Sequence, residues 1–283
     1  MSFPRRATAL CIALLASPAA AQQPDLAVDL ELVLAIDVSQ SVDAREGRLQ
    51  RDGYVQAFRD PRIVQAIRNG QHGRIAVTYM EWAGAGLWQT TVPWRVIASA
   101  EDALAFANVL DATPVARGSG TSISSAIFFG STLFGANRIA GNRRVIDISG
   151  DGPNSSGPLV TGARDDAVMA GITINGVAIN DREISNFSLP DLDVYYEECV
   201  IGGPGAFVLA VDGFDSFAEA ILRKMILEIA DRPPVPRAGI ERAQFLGGPL
   251  GAKPQKYGPA CDIGERMRFQ DQGGFVPQPP LGR

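Results

Sequence analysis

An apolar run, Leu30-Glu31-Leu32-Val33-Leu34-Ala35-Ile36, ends abruptly in Asp37, and Ser39 and Ser41 follow at two-residue intervals. One carboxylate and two hydroxyls offer oxygen donors only, a set that suits a hard divalent cation, Mg2+ first and Ca2+ or Mn2+ next. Two further segments carry matching donors. Thr121 stands in a glycine-rich loop, Gly118-Ser119-Gly120-Thr121-Ser122, that opens onto an apolar stretch. Asp151 stands in the turn Gly150-Asp151-Gly152, directly after a second apolar run. Five oxygen ligands, two of them carboxylates, leave roughly one position of an octahedron open.

These residues are useful together only if the fold brings them together. The run before Asp37 reads as a buried parallel strand over 31–36, with 25–29 a polar lead-in. A helix is expected over 43–59 and a short helical face at Ile63, Ala66 and Ile67. Strand two spans 74–82. After the Gly84-Ala85-Gly86 turn, strand three spans 89–97, and so short a connection makes it antiparallel. A helix over 101–110 has Ser99 as its cap. The next, over 123–136, is apolar nearly all round and is expected to be deeply buried. Strand four (144–149), a helix (159–170), strand five (172–179), a loop (180–190), a short helix (191–201) and strand six (206–211) follow. A last helix, with a Ser216/Glu219 capping box, buries Phe217, Ile221, Met225 and Ile229 at its i+4 spacing. This alternation specifies an α/β fold: a doubly wound, mostly parallel six-stranded sheet of order 3-2-1-4-5-6, strand three antiparallel at the edge and helices on both faces. Strands one and four are then neighbours at the topological switch point, where ligands bind in open sheets, and all three donor segments meet there.

The first 21 residues stand apart from this pattern. Arg5 and Arg6, the apolar 7–16 and Ala19-Ala20-Ala21 have the form of a secretory signal peptide cleaved after Ala21. Losing it takes the formal charge from −5 to −7, since the leader holds two arginines and no acids. The chain carries no basic run, which argues against nucleic acid and anionic lipid as partners. No later segment is apolar for long enough to span a bilayer, so a soluble, periplasmic or secreted chain is expected. Cys199 and Cys261 remain after cleavage and have the option of pairing in an oxidising compartment, which the chain-entropy model values at ~4 kcal/mol for so long a loop. The main domain is read as 28–231. Residues 232–283, rich in Pro and Gly, read as an extended, largely irregular tail, which pairing of Cys261 would tie back in part.

The three donor segments resemble the metal-ion-dependent adhesion site (MIDAS) of the von Willebrand factor A (vWA) domain: D-x-S-x-S at 37–41, Gly120-Thr121-Ser122 before an apolar helix, and Ser149-Gly150-Asp151-Gly152. The resemblance covers about 30–230 and is nearest to exported bacterial vWA-like proteins of unknown function. It implies that Ser39, Ser41 and Thr121 ligate the metal directly or through water. It implies that Asp37 and Asp151 act mainly through water, and that an acidic group of a protein partner completes the shell. The function expected is metal-dependent protein binding. The alternatives are a metal-assisted hydrolase, for which an acid such as Asp147 or Glu81 would have to serve as base, and a scaffold that binds through its tail.

Other residues carry weaker signals. Asp147, inside strand four, needs a partner: it either braces the Asp151 turn or pairs with an arginine or backbone amides. Glu81 either faces the metal site or is a solvated rim residue. His72, the only histidine, falls at the opposite sheet edge, roughly 25–30 Å from the site. Gly202–Gly205 reads as a turn. Tyr195, Tyr196, Trp82, Trp88 and Trp94 read as core or edge packing rather than a recognition surface. Asn154 and Asn186 stand in glycosylation triplets.

Overall fold

The computed structural model describes residues 26–135, 137–180, 189–213, 216–231 and 260–271. Six strands form one sheet of order β3-β2-β1-β4-β5-β6: β1 (Leu26–Asp37), β2 (Ile75–Trp82), β3 (Trp88–Ile97), β4 (Ile139–Gly150), β5 (Thr173–Asn180) and β6 (Val208–Asp212). Only β3 runs antiparallel, at the edge beside β2. The helices are α1 (Ala44–Arg59), α2 (Pro61–Arg68), α3 (Ala100–Ala112), α4 (Ile123–Leu133), α5 (Val160–Met169), α6 (Leu192–Tyr195), α7 (Phe217–Ile229) and α8 (Ile263–Asp271). The chain widens into a π turn at Tyr196–Val200 directly after α6.

Period-two alternation divides the core. Leu30, Leu32, Leu34 and Ile36 of β1 point into one layer with α1, α2, α3 and α7. Val33 and Ala35 point into the other, with α4, α5 and α6. The same alternation sends Val145, Asp147 and Ser149 of β4 toward the α1/α7 side and Ile146 and Ile148 toward α4. The β1–β4 register sets Ile36 opposite Ser149, and the β1–β2 register sets Asp37 opposite Trp82, so the three strands end level at one edge.

Four expectations need correction. The first strand is longer than 31–36, because Asp29 is no solvated lead-in; its carboxylate accepts the His72 N–H at 2.9 Å and so joins the strand to the turn before β2. The 123–136 helix is shorter and one-sided. Ile123, Ala126, Ile127 and Gly130 are buried, but Phe128 is 67% exposed, because the helix lies over the sheet rather than between layers. Ser216 forms no capping box with Glu219; its φ −94°, ψ 1° is not the extended cap geometry, and its hydroxyl turns back to the Asp212 and Gly213 carbonyls. The tail is not irregular throughout. Cys261 is bonded to Cys199, and α8 begins two residues later. Asn186 lies outside the described residues. Asn154 is fully buried, which excludes a glycan there.

Candidate metal centre

Four of the five predicted donors form a bonded chain at the C-terminal edge of the sheet. Asp37 ends β1, and its Oδ1 accepts the Ser39 N–H at 2.7 Å. Ser39 Oγ and Ser41 Oγ are 3.0 Å apart, and Ser41 Oγ donates to Asp151 Oδ1 at 2.8 Å. Asp37 and Ser39 are buried whereas Ser41 is exposed, so the chain runs from the sheet edge to solvent.

Thr121 arrives through its backbone. Its carbonyl accepts the Ser155 and Ser156 N–H groups at 2.9 and 3.0 Å, which joins it to the loop after Asp151. Three further bonds hold that glycine loop to the strand ends: Gly118 N–H to Val38 O, Gly84 N–H to Ser119 O and Ser122 N–H to Ala83 O. Gly120 has φ +75°, a left-handed turn that glycine takes at no steric cost. Ser122 caps α4 through the Ser125 N–H.

Burial, reinforced by the Asp151 carboxylate, pushes the Asp37 carboxyl well above the ordinary aspartate range, against the opposing bonds from Ser39. Asp37 Oδ2 is buried and has no hydrogen-bond partner among the described residues. An unsatisfied buried carboxylate oxygen beside a second carboxylate is costly, and a small hard cation with oxygen ligands relieves that cost. The donor set therefore fits a divalent cation. Among the described residues no three His, Cys, Asp or Glu side chains gather at one point; this cage draws on hydroxyls instead.

Three residues behind the cage carry no strong sequence signal. Gln50, buried on α1, donates to the Asp37 carbonyl at 3.3 Å and accepts the Ser149 hydroxyl at 3.2 Å, bridging β1 to β4. Only its polarity within an imperfect apolar stripe could have pointed to it. A Cβ on Gly150 would stand 2.7 Å from the Tyr196 hydroxyl and 3.1 Å from Asp37 Oδ2, so glycine admits the phenol to the back of the cage. Burial, then the Asp37 and Asp151 carboxylates, raise the Tyr196 phenol well above its usual range and keep it neutral.

Asp147 and Glu81 are not where sequence reasoning put them. Both point to the α1/α7 layer. Asp147 neither braces the Asp151 turn nor meets an arginine; its Oδ1 lies 2.6 Å from Lys224 Nζ on α7. Glu81 neither faces the candidate metal site nor lies on a solvated rim. It is buried and ion-paired with Arg51, and its Oε2 accepts from Gln89, Thr91 and the Ala116 N–H. Arg51 also donates to the Leu110 and Thr113 carbonyls, so the pair supports the loop leading to Thr121. His72 lies at the far edge, as expected, and Gly202–Gly205 is a turn. Trp82, Tyr195 and Tyr196 are core residues, and Trp88 stacks on Phe129.

This sheet order, with a carboxylate–hydroxyl edge where β1 and β4 end, defines a vWA-like domain. A family model described as a protein of unknown function (DUF1194) matches residues 27–233, and the chain belongs to that family. Two solved structures with TM-scores above 0.5 agree on the fold. Proximal thread matrix protein 1 from the mussel byssus, with a zinc-occupied MIDAS motif, is 14% identical with a TM-score of 0.51, over 74% of this chain and 49% of that one. The pilus adhesin SpaC from Lactobacillus rhamnosus GG is 14% identical with a TM-score of 0.53, over 73% and 31%. A von Willebrand factor type A from Catenulispora acidiphila is 13% identical with a TM-score of 0.48, over 71% and 43%. This chain thus spans half or less of each of those chains. A search of the curated proteins finds no match. Among the described residues no helix is long and apolar enough to cross a membrane.

Proposed function

We propose that this chain is an exported binding module whose Asp37, Ser39, Ser41, Thr121 and Asp151 hold a divalent cation, Mg2+ or else Mn2+ or Ca2+. Held by these five residues, the cation would supply positive charge that attracts a carboxylate of a protein partner. The observation that carries the reading is the bonded chain Asp37–Ser39–Ser41–Asp151 with an unpartnered buried oxygen at its inner end. The donors do complementary work: Asp37 and Asp151 supply charge, the hydroxyls supply neutral oxygens, and exposed Ser41 keeps one side open. The adhesin SpaC and the zinc-holding mussel protein share the fold, which favours adhesion-type binding over other uses. The Cys199–Cys261 bond and the 1–21 leader favour export to the periplasm or beyond. A hydrolase has less support, because Asp147 and Glu81 are held in ion pairs within the α1/α7 layer.

A pull-down from envelope extract tests the reading. Wild type in Mg2+ should capture a partner, and EDTA or Asp37→Ala should release it while circular dichroism stays unchanged. Capture that survives both would overturn it.

A further inference from the structure

We infer that α8 is a clasp for the metal centre: anchored by the Cys199–Cys261 bond, it holds the Asp151 and Thr121 loops in the arrangement that binds the cation. This rests on the metal-dependent reading above and adds positioning residues to it, with Asn154 and Glu265 at its heart.

Asn154 sits at a junction of four segments: its own loop, α4, α6 and α8. It lies in the loop that begins at Asp151, and it is fully buried. Its Oδ1 accepts the Ser124 N–H at 3.0 Å, in the first turn of α4, next to the Thr121 loop. Its backbone N–H donates to the Tyr195 hydroxyl at 3.1 Å, reaching α6. Its Nδ2 donates to the Pro158 carbonyl at 3.1 Å and to Glu265 Oε1 on α8 at 2.7 Å. The amide of Asn154 is therefore the strut between the two donor loops, and Glu265 fixes its orientation.

The remaining contacts of α8 point the same way. Gly264 lies flat against this loop: a Cβ there would stand 2.8 Å from the Asn154 carbonyl carbon and 3.1 Å from Pro153 Cβ. Cys261 and Ile263 pack on the α4/α5/α6 layer. One turn on from Glu265, Arg268 Nη1 would meet a Cβ on Gly120 at 3.4 Å, so α8 spans from the Asp151 loop to the Thr121 loop. Yet α8 lies outside residues 27–233, the part the family model matches. The named contacts of α8 fall between Ile263 and Arg268, and the covalent tie from Cys261 to Cys199 fixes the chain directly before them. Residues that orient metal ligands through hydrogen bonds typically change metal affinity about 10- to 100-fold when removed.

The test uses the full chain with its disulfide formed and Mn2+ alone as the probe. Calorimetry gives the affinity, and amide hydrogen exchange in EDTA gives a readout that needs no metal. Glu265→Ala and Cys261→Ser should each weaken Mn2+ binding by about 10-fold or more. They should also speed exchange at Ser124, Ser155 and Ser156, with the β1 amides of Val33 and Leu34 unchanged. Glu265→Gln, which keeps an oxygen for Asn154 Nδ2, should restore both. Dithiothreitol should reproduce Cys261→Ser; its two thiols pass two electrons and two protons to the Sγ–Sγ bond as they close into a cyclic disulfide. If Glu265→Ala and Cys261→Ser bind Mn2+ like wild type, the clasp is wrong and the metal centre stands. If wild type and Asp37→Ala both fail to bind Mn2+, the metal centre itself is overturned, and the clasp with it.

Discussion

Asp147, Lys224 and Glu228 are all buried, and two acids share one ammonium. Glu228 is further held by Asn175 Nδ2 at 2.7 Å. Burial works against the Lys224 charge, but Asp147 and Glu228 together keep its pKa above the ordinary lysine value. Burial pushes the Asp147 carboxyl up to about 6, with Lys224 pulling it down and Glu228 pushing it further up. The sign follows from linkage. A carboxyl raised in the folded state binds its proton there more tightly than in the unfolded chain. Stability therefore falls as pH rises from about 4 to about 6 and levels off above. The contribution is on the order of 1–3 kcal/mol. Asp43, Asp60 and Asp102, whose pKa values are lowered, act with the opposite sign at lower pH. Comparing urea midpoints of wild type and Asp147→Asn at pH 4 and pH 6.5 isolates the effect: wild type should lose stability relative to the variant over that interval. Parallel behaviour of the two proteins would show that folding does not raise the Asp147 pKa. The sequence announced that Asp147 needs a partner but could not name it. The partner comes from α7, and only the assembled layers decide which helix covers that face of β4.

The elements were legible because each is written in local pattern. The alternation of apolar strands and amphipathic helices gave the sheet order, and the three donor segments follow from it, since all end at the same edge. Boundaries were less legible where one signal has two outcomes. Ser216 and Asp43 both stand three residues before a glutamate. Asp43, with φ −72° and ψ 174°, forms the reciprocal box: its Oδ1 accepts the Arg45 and Glu46 N–H groups, and Glu46 Oε2 accepts its N–H at 2.8 Å. Ser216 lacks the extended backbone and forms none. Backbone conformation rather than residue type decides, and that is set by how the preceding turn enters the helix. Asp43→Ala should therefore lower the melting temperature clearly more than Ser216→Ala does, although the sequence favours both caps alike. Equal losses would mean that the cap bonds at α1 contribute nothing. α8 was illegible for another reason: it is short, polar and flanked by Pro/Gly-rich chain, and what orders it is a covalent bond and a fit to Asn154 rather than any periodicity of its own.

At the scale of the whole molecule, the proposed metal centre would be coupled to the fold through the same two carboxylates, Asp37 and Asp151. In the metal-free chain, burial and the neighbouring Asp151 make an ionised Asp37 costly, so folding bears a penalty that a bound cation removes. A ligand that binds only the folded chain stabilises it by about 2.7 kcal/mol at 100 times its dissociation constant. For a domain of this size that corresponds to a rise in melting temperature of roughly 5–10 °C. The increment should saturate with Mg2+ or Mn2+ concentration and vanish in EDTA. Asp37→Ala separates the two effects. It deletes the penalty along with the ligand, so the variant in EDTA should melt no lower than wild type in EDTA, yet gain nothing from added metal. A residue whose role was only to cap or pack would behave otherwise, lowering the melting temperature in both conditions by the same amount. That second pattern, seen by differential scanning calorimetry, would reduce Asp37 to a structural acid. The first would show that the edge of the sheet is built at a cost to stability that only its cation relieves.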